Sequence, residues 1–181
     1  MTDKKEITIT EKFEPGLKHA LFSNFSRYLD AFLELTDNAV SNRILGKTLK
    51  IEILVSKKSL QITNYGGYGM DIKELKEFLE WGKIKKRRNT DIGAYSQGGK
   101  AAMGYLGKTM RIIASPHNKK IKFSFSDDDL YNYRLKKYLV IKKTVEINDG
   151  YVRIDVGELK RKIKNEELKK VIADTYRPLI E

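Results

Sequence analysis

The chain has 181 residues, 40% of them hydrophobic and 33% charged, with a formal net charge of +12 at pH 7. That is the length of one domain with enough apolar content for a core, and it excludes an intrinsically disordered chain. The absence of cysteine excludes disulfides, thiolate metal sites and a cysteine nucleophile, and it fits a cytoplasmic protein.

His19 and His117 lie far apart, so no histidine-rich metal cluster is expected. No apolar run approaches membrane-spanning length, and the first residues contain no signal-peptide core. The basic excess favours polyanionic partners such as nucleic acid or nucleotide phosphates.

In chain order, Ile7-Thr8-Ile9-Thr10 alternates as a short strand, and Pro15-Gly16 breaks it off. A helical turn is expected over 17–24, then a helix over 25–44 with Gly46 as its stop. In that helix Phe25, Leu29, Phe32, Leu33, Thr36, Val40 and Ile44 recur at steps of three and four, an apolar stripe for a core. Glu34, Asp37, Asn38 and Ser41 share the opposite face. This lysine-rich chain has no lysine between Lys18 and Lys47. A carboxylate and a carboxamide one turn apart, without a cationic neighbour, suit a pocket for a metal ion and a water. Glu34 is placed to deprotonate the water, and Asn38 to offer its amide oxygen to a hard cation such as Mg²⁺.

Residues 50–55 and 60–64 read as two strands of a hairpin around the 56–59 turn. The second strand runs into Asn64-Tyr65-Gly66-Gly67-Tyr68-Gly69-Met70, where glycines allow a backbone to approach a ligand closely. Asp71 is placed to cap a helix over 72–81. Residues 82–97 lack periodicity and carry Lys83, Lys85, Lys86, Arg87 and Arg88, the composition of a basic lid or binding loop. Gly98-Gly99-Lys100 then opens a helix ending near Gly107. Free N–H groups at a helix start beside a lysine suit a phosphate, although the Walker spacing is absent. Strands follow over 109–115, 120–126, 138–145 and 151–156, with turns at 116–118 and 148–150. Asp127-Asp128-Asp129 reads as a turn, because consecutive carboxylates do not converge on one ion. A lysine-rich helix over 158–176 closes the chain, and Arg177-Pro178 ends it.

The order of three of these features resembles the GHKL ATPase superfamily, which includes gyrase B, MutL and the histidine kinases. Glu34-Leu-Thr-Asp-Asn38 is similar to its first motif. Gly67-Tyr-Gly69-Met70-Asp71 is similar to the tail of its second, D-x-G-x-G-M. Gly93-Ala-Tyr95-Ser-Gln-Gly98-Gly99-Lys100-Ala101 is similar to its third. Within the superfamily the likeness is greatest to the MORC-like and SMC-hinge-containing chromatin ATPases, over about residues 25–115.

The resemblance implies a single α+β domain over 1–181, a two-layer sandwich with helices over a mixed, mostly antiparallel sheet. It implies ATP and Mg²⁺ as cofactors. Glu34 would activate water and Asn38 would bind Mg²⁺. Gly67, Gly69 and Met70 would shape the adenine pocket, while Gly98, Gly99 and Lys100 would hold the β- and γ-phosphates. Two positions depart from the pattern. Asn64, rather than Tyr65, takes the place of the aspartate that accepts the adenine amino proton, and Tyr151 stands where the family has a threonine near the same edge.

The resemblance further implies a nucleotide-dependent homodimer in a longer protein, contacting nucleic acid through the basic lid. Turnover would need a transducer domain or a dimer. The alternative is a nucleic-acid-binding or scaffold domain with a degenerate nucleotide pocket. A histidine kinase is not expected, since no dimerisation helix with a phospho-acceptor histidine precedes the motifs.

Overall fold

A computed structural model describes residues 5–10, 20–80, 98–132, 136–146 and 149–179. The expected basic lid over 82–97 lies outside the described residues, as do residues 17–19 of the expected helical turn over 17–24, of which residues 20–22 are helical.

Seven strands form one sheet: β1 (Lys5–Thr10), β2 (Lys50–Val55), β3 (Ser59–Tyr65), β4 (Thr109–Ser115), β5 (Ile121–Asp127), β6 (Lys137–Thr144) and β7 (Tyr151–Gly157). Their spatial order is β1-β6-β5-β4-β7-β3-β2. Every neighbouring pair is antiparallel, so the mixed sheet expected from the sequence is purely antiparallel among the described residues. β7 enters between β3 and β4 and joins the early hairpin to the β4–β6 meander.

Four helices are described: α1 (Tyr28–Ser41), α2 (Ile72–Leu79), α3 (Gly98–Leu106) and α4 (Asn165–Tyr176), followed by a 3₁₀ turn at Arg177–Leu179. They share one core with Leu60, Ile62, Ile112, Phe123, Val140 and Ile154 on the inner face of the sheet. Burial along β7 alternates as a period-2 strand requires, with Val152, Ile154 and Val156 inward, whereas in β3 Ile62, Thr63 and Asn64 are buried in succession.

Two boundaries and one buried face differ from expectation. α1 stops at Ser41, capped by Asn42, before the expected end at 44; Gly46 instead serves a left-handed turn at φ +76°. The buried set of α1 is Ala31, Phe32, Leu35, Thr36, Ala39 and Val40. Leu33 is only half-buried, and the helix is covered by α3 and α4 as well as by β3, which brings Ala31, Leu35 and Ala39 into the buried arc. α4 begins at Asn165 rather than 158. Glu158 adopts φ +48°, and Leu159 and Lys160 donate backbone hydrogen bonds to the carbonyls of Lys58 and Leu106, so the chain is tied down as coil before it can wind. By contrast Asp71 caps α2 as expected: its carboxylate accepts from the Glu74 N–H, and Glu74 accepts from the Asp71 N–H.

Candidate functional site

The site is built from the end of β3 outward. The Gly69 N–H donates to Oδ1 of Asn42 at 2.8 Å, and Nδ2 of Asn42 donates to the Gly69 carbonyl at 2.9 Å. A backbone donor and a backbone acceptor thus fix which end of the Asn42 amide is oxygen. Asn64 then has no choice: its Nδ2 donates to that same Oδ1 at 3.1 Å. Its own Oδ1 has no partner among the described residues. Asn64 is 2% exposed and lines a small cavity of about 20 Å³ with Leu35, Ala39, Ile62, Met70 and Val152. The result is an open hydrogen-bond acceptor in a wall that is apolar apart from Asn38 and Asn42. Gly67 and Gly69 pack tightly around it: a Cβ on Gly67 would stand 2.5 Å from Oδ1 of Asn42.

Asn38 and Asn42 also line this cavity. Asn38 is where two halves of the site meet. Its Nδ2 donates to the Glu34 carbonyl at 2.6 Å and to Glu34 Oε1 at 3.3 Å. Its Oδ1 has no partner among the described residues, so a carbonyl oxygen is available to a cation. Both side chains face the start of α3. A Cβ on Gly98 would lie 2.0 Å from Glu34 Oε1, and one on Gly99 would lie 3.2 Å from Asn38 Nδ2. Burial raises the Glu34 pKa above its ordinary 4.5; the Asn38 amide opposes the rise and the nearby Asp37 charge adds to it. Asp37 is itself held by the Tyr176 hydroxyl, which donates to it at 2.5 Å, and Tyr176 also meets the Thr36 hydroxyl at 2.8 Å. Burial and then Asp37 push the Tyr176 phenol up.

The structure therefore brings together Glu34, Asn38, Asn64, Gly67, Gly69, Met70, Gly98 and Gly99. Lys100 behaves differently. It is 3% exposed, and its ammonium donates to the Glu80 carbonyl at 2.8 Å and lies 5.6 Å from the Phe78 ring centre. It braces α2 against α3.

Tyr65 and Tyr151 are not pocket residues. They are register partners on the outer face of the sheet, and the inward partners one residue away are Asn64 and Val152. At the position expected of Tyr151 it is Val152 that lines the cavity, because side chains alternate along β7. Asp127 accepts from Lys136 and from the Tyr138 hydroxyl, each within 2.8 Å. No cluster of three or more His, Cys, Asp or Glu side chains suited to a metal occurs among the described residues. A larger groove of about 580 Å³ lies mainly on the outer face, lined among others by Arg111, Ser124, Ser126 and Lys137, and contains none of the motif residues.

Sequence reasoning missed Asn42, Val152 and Tyr176. Asn42 carried a usable signal: Glu34, Asn38 and Asn42 are spaced by fours on one helix face. No described helix is long and apolar enough to cross a membrane. The chain matches no protein-family model and no curated protein.

Proposed function

We propose that the chain is a Mg²⁺-dependent domain that binds and hydrolyses ATP in the GHKL manner, a nucleotide-gated dimerisation module acting on nucleic acid. The observation that carries the reading is the position of Asn38, which touches the Glu34 carboxylate, the Gly99 backbone and the cavity holding Asn64. One residue thereby joins a carboxylate, the glycine start of α3 and the wall that carries the Asn64 acceptor.

The roles follow from chemistry already present. The Asn64 acceptor suits the exocyclic amino group of adenine and opposes the O6 acceptor of guanine. Glu34, partly desolvated with a raised pKa, suits a general base near neutral pH. The open Asn38 carbonyl oxygen suits Mg²⁺, which is commonly held by one or two protein oxygens, waters and substrate phosphates. Mg²⁺ would supply neutralisation of phosphate charge. The Gly98 and Gly99 backbone at the start of α3 adds helix-terminus potential on the same side.

Thermal unfolding with Mg²⁺ and ATP, GTP or a non-hydrolysable ATP analogue tests this. At about one hundred times its dissociation constant ATP stabilises the fold by roughly 2.7 kcal/mol, with a smaller effect from GTP. Absence of any shift overturns the reading.

A second reading, a nucleic-acid-binding scaffold with a degenerate pocket, is favoured by two observations. The cavity, about 20 Å³, has room for about one water. The Lys100 ammonium is committed to Glu80. Lys100→Met separates the two: it weakens ATP binding if the lysine swings to phosphate, and leaves nucleotide response unchanged if it does not.

A further inference from the structure

The outer face of the sheet is left uncovered by the described helices, which all join the core on the inner face. Registers align one row of residues across it, interrupted at Ser115, whose side chain is buried. Lys50 pairs with Tyr65, Tyr65 with Tyr151, and Tyr151 with Ser115. The β4–β5 register sets Ala114 opposite Phe123, which puts Ser115 beside Lys122, and Lys122 pairs with Lys143. The row crosses six strands, five steps of about 4.8 Å or about 24 Å in all.

Two features of this row are costly for a merely solvated sheet. The Tyr65 and Tyr151 rings, with centres 6.1 Å apart, hold large apolar faces toward water, and Tyr65 is 41% exposed. Lys122 and Lys143 stand directly opposite each other, a like-charge cross-strand pair that destabilises a sheet. Neither lysine has an ion-pair partner among the described residues. The carboxylates nearest the row are already matched, Glu52 by Lys50 at 2.6 Å and Asp155 by Arg153 at 2.8 Å. Lys50 also lies 5.9 Å from the Tyr65 ring centre.

Aromatic faces flanked by unneutralised cations on an open sheet suit stacked bases with phosphates alongside. We propose that this face binds single-stranded nucleic acid, with Tyr65 and Tyr151 stacking bases while Lys122 and Lys143 meet phosphates. The proposal deepens the nucleic-acid part of the reading above and moves the contact from the lid to the sheet. It does not need the nucleotide cavity.

The test is fluorescence anisotropy with a labelled oligo(dT) of about 12 nucleotides, without nucleotide or Mg²⁺, over a salt series. Tyr65→Leu and Tyr151→Leu, which keep apolar bulk on the sheet, are each expected to weaken binding about tenfold. The double variant Lys122→Gln with Lys143→Gln is expected to flatten the log affinity against log salt slope by roughly 1.4, and to raise the unfolding temperature by removing the repulsion. Opposite signs for stability and affinity exclude a trivial folding defect. The proposal is overturned if oligo(dT) fails to bind. It is equally overturned if the tyrosine variants bind like the parent, or if a duplex of the same length binds as tightly. A loss of nucleotide response with retained oligo(dT) binding would count against the cavity alone.

Discussion

Gly98 and Glu34 approach so closely that a Cβ at position 98 would stand 2.0 Å from Oε1 and 2.3 Å from Cδ of Glu34. The obstacle is the end of a flexible side chain, so Gly98→Ala is expected to displace the carboxylate rather than break the fold. Better helix propensity offsets part of the cost, and stability should change by about 1 kcal/mol or less. A control lies one helix turn and a half further on. At Gly104 the new Cβ would meet the buried Phe22 ring at 2.4 Å, which cannot yield, and Gly104→Ala should cost about 1–3 kcal/mol. Urea unfolding compares the two. Under the proposed function, Gly98→Ala should also abolish hydrolysis while ATP still raises the unfolding temperature.

The raised pKa of Glu34 has a definite consequence for stability. An acid whose folded pKa lies above its unfolded value is penalised by folding once it ionises. The penalty is absent below the ordinary pKa of 4.5, grows as pH rises through the folded value, and is constant above it. Glu34→Gln removes the charge and is expected to stabilise the protein at pH 7, with the gain vanishing below about pH 4. A pH series of thermal unfolding for both proteins checks this; a gain that is the same at every pH would remove burial of the charge as its cause.

Much of this was legible from periodicity. The period-2 runs located the strands, and Asp71 announced its capping box through Glu74 three residues on. Glu34 and Asn38 stood out because the flanking lysines did not reach them. The pocket's inner wall was harder to read. A slip of one residue exchanges the two faces of a strand, and the glycine run after Tyr65 gave no fixed point for choosing between Asn64 and Tyr65. Pairing with β3 puts Asn64 and Val152 on the inner face and Tyr65 and Tyr151 on the outer one. Asn42 was hidden at a helix end whose position depended on a tertiary contact with Gly69. The false early start of α4 came from lysines at helical spacing, overridden by the left-handed Glu158.

The locked orientation of Asn42 makes Asn64 hard to replace by the family's aspartate. Asn42 Oδ1 is already an acceptor for the Gly69 N–H, so an ionised carboxylate at position 64 would face it without a proton between them. In a site this buried the new group would hold its proton, with a folded pKa raised above the usual value of about 3.9. Stability of Asn64→Asp should therefore approach that of the parent at low pH and fall as pH rises through the raised pKa. At neutral pH the deficit should be about 2 kcal/mol. Urea unfolding at several pH values reads it; a pH-independent difference would show that the Asn42 amide had turned over.

Gly69 provides the last test, because it combines conformational and steric demands that Gly46 separates. Both have positive φ, +68° and +76°. Around Gly46 nothing lies within 4 Å of a new Cβ, so Gly46→Ala carries only the left-handed penalty, about 1–2 kcal/mol. At Gly69 the Cβ would stand 1.8 Å from the Ser115 carbonyl oxygen and 2.9 Å from the Pro116 Cα. Those are backbone atoms at the end of β4, and they can retreat only by pulling the Gly69 segment away from Asn42. Gly69→Ala is expected to cost more than about 4 kcal/mol, among the largest effects of a single substitution. It should also free Asn64 to rotate its amide. A folded Gly69→Ala protein losing no more stability than Gly46→Ala would mean that the Asn42–Gly69 contact does not hold the cavity wall in place.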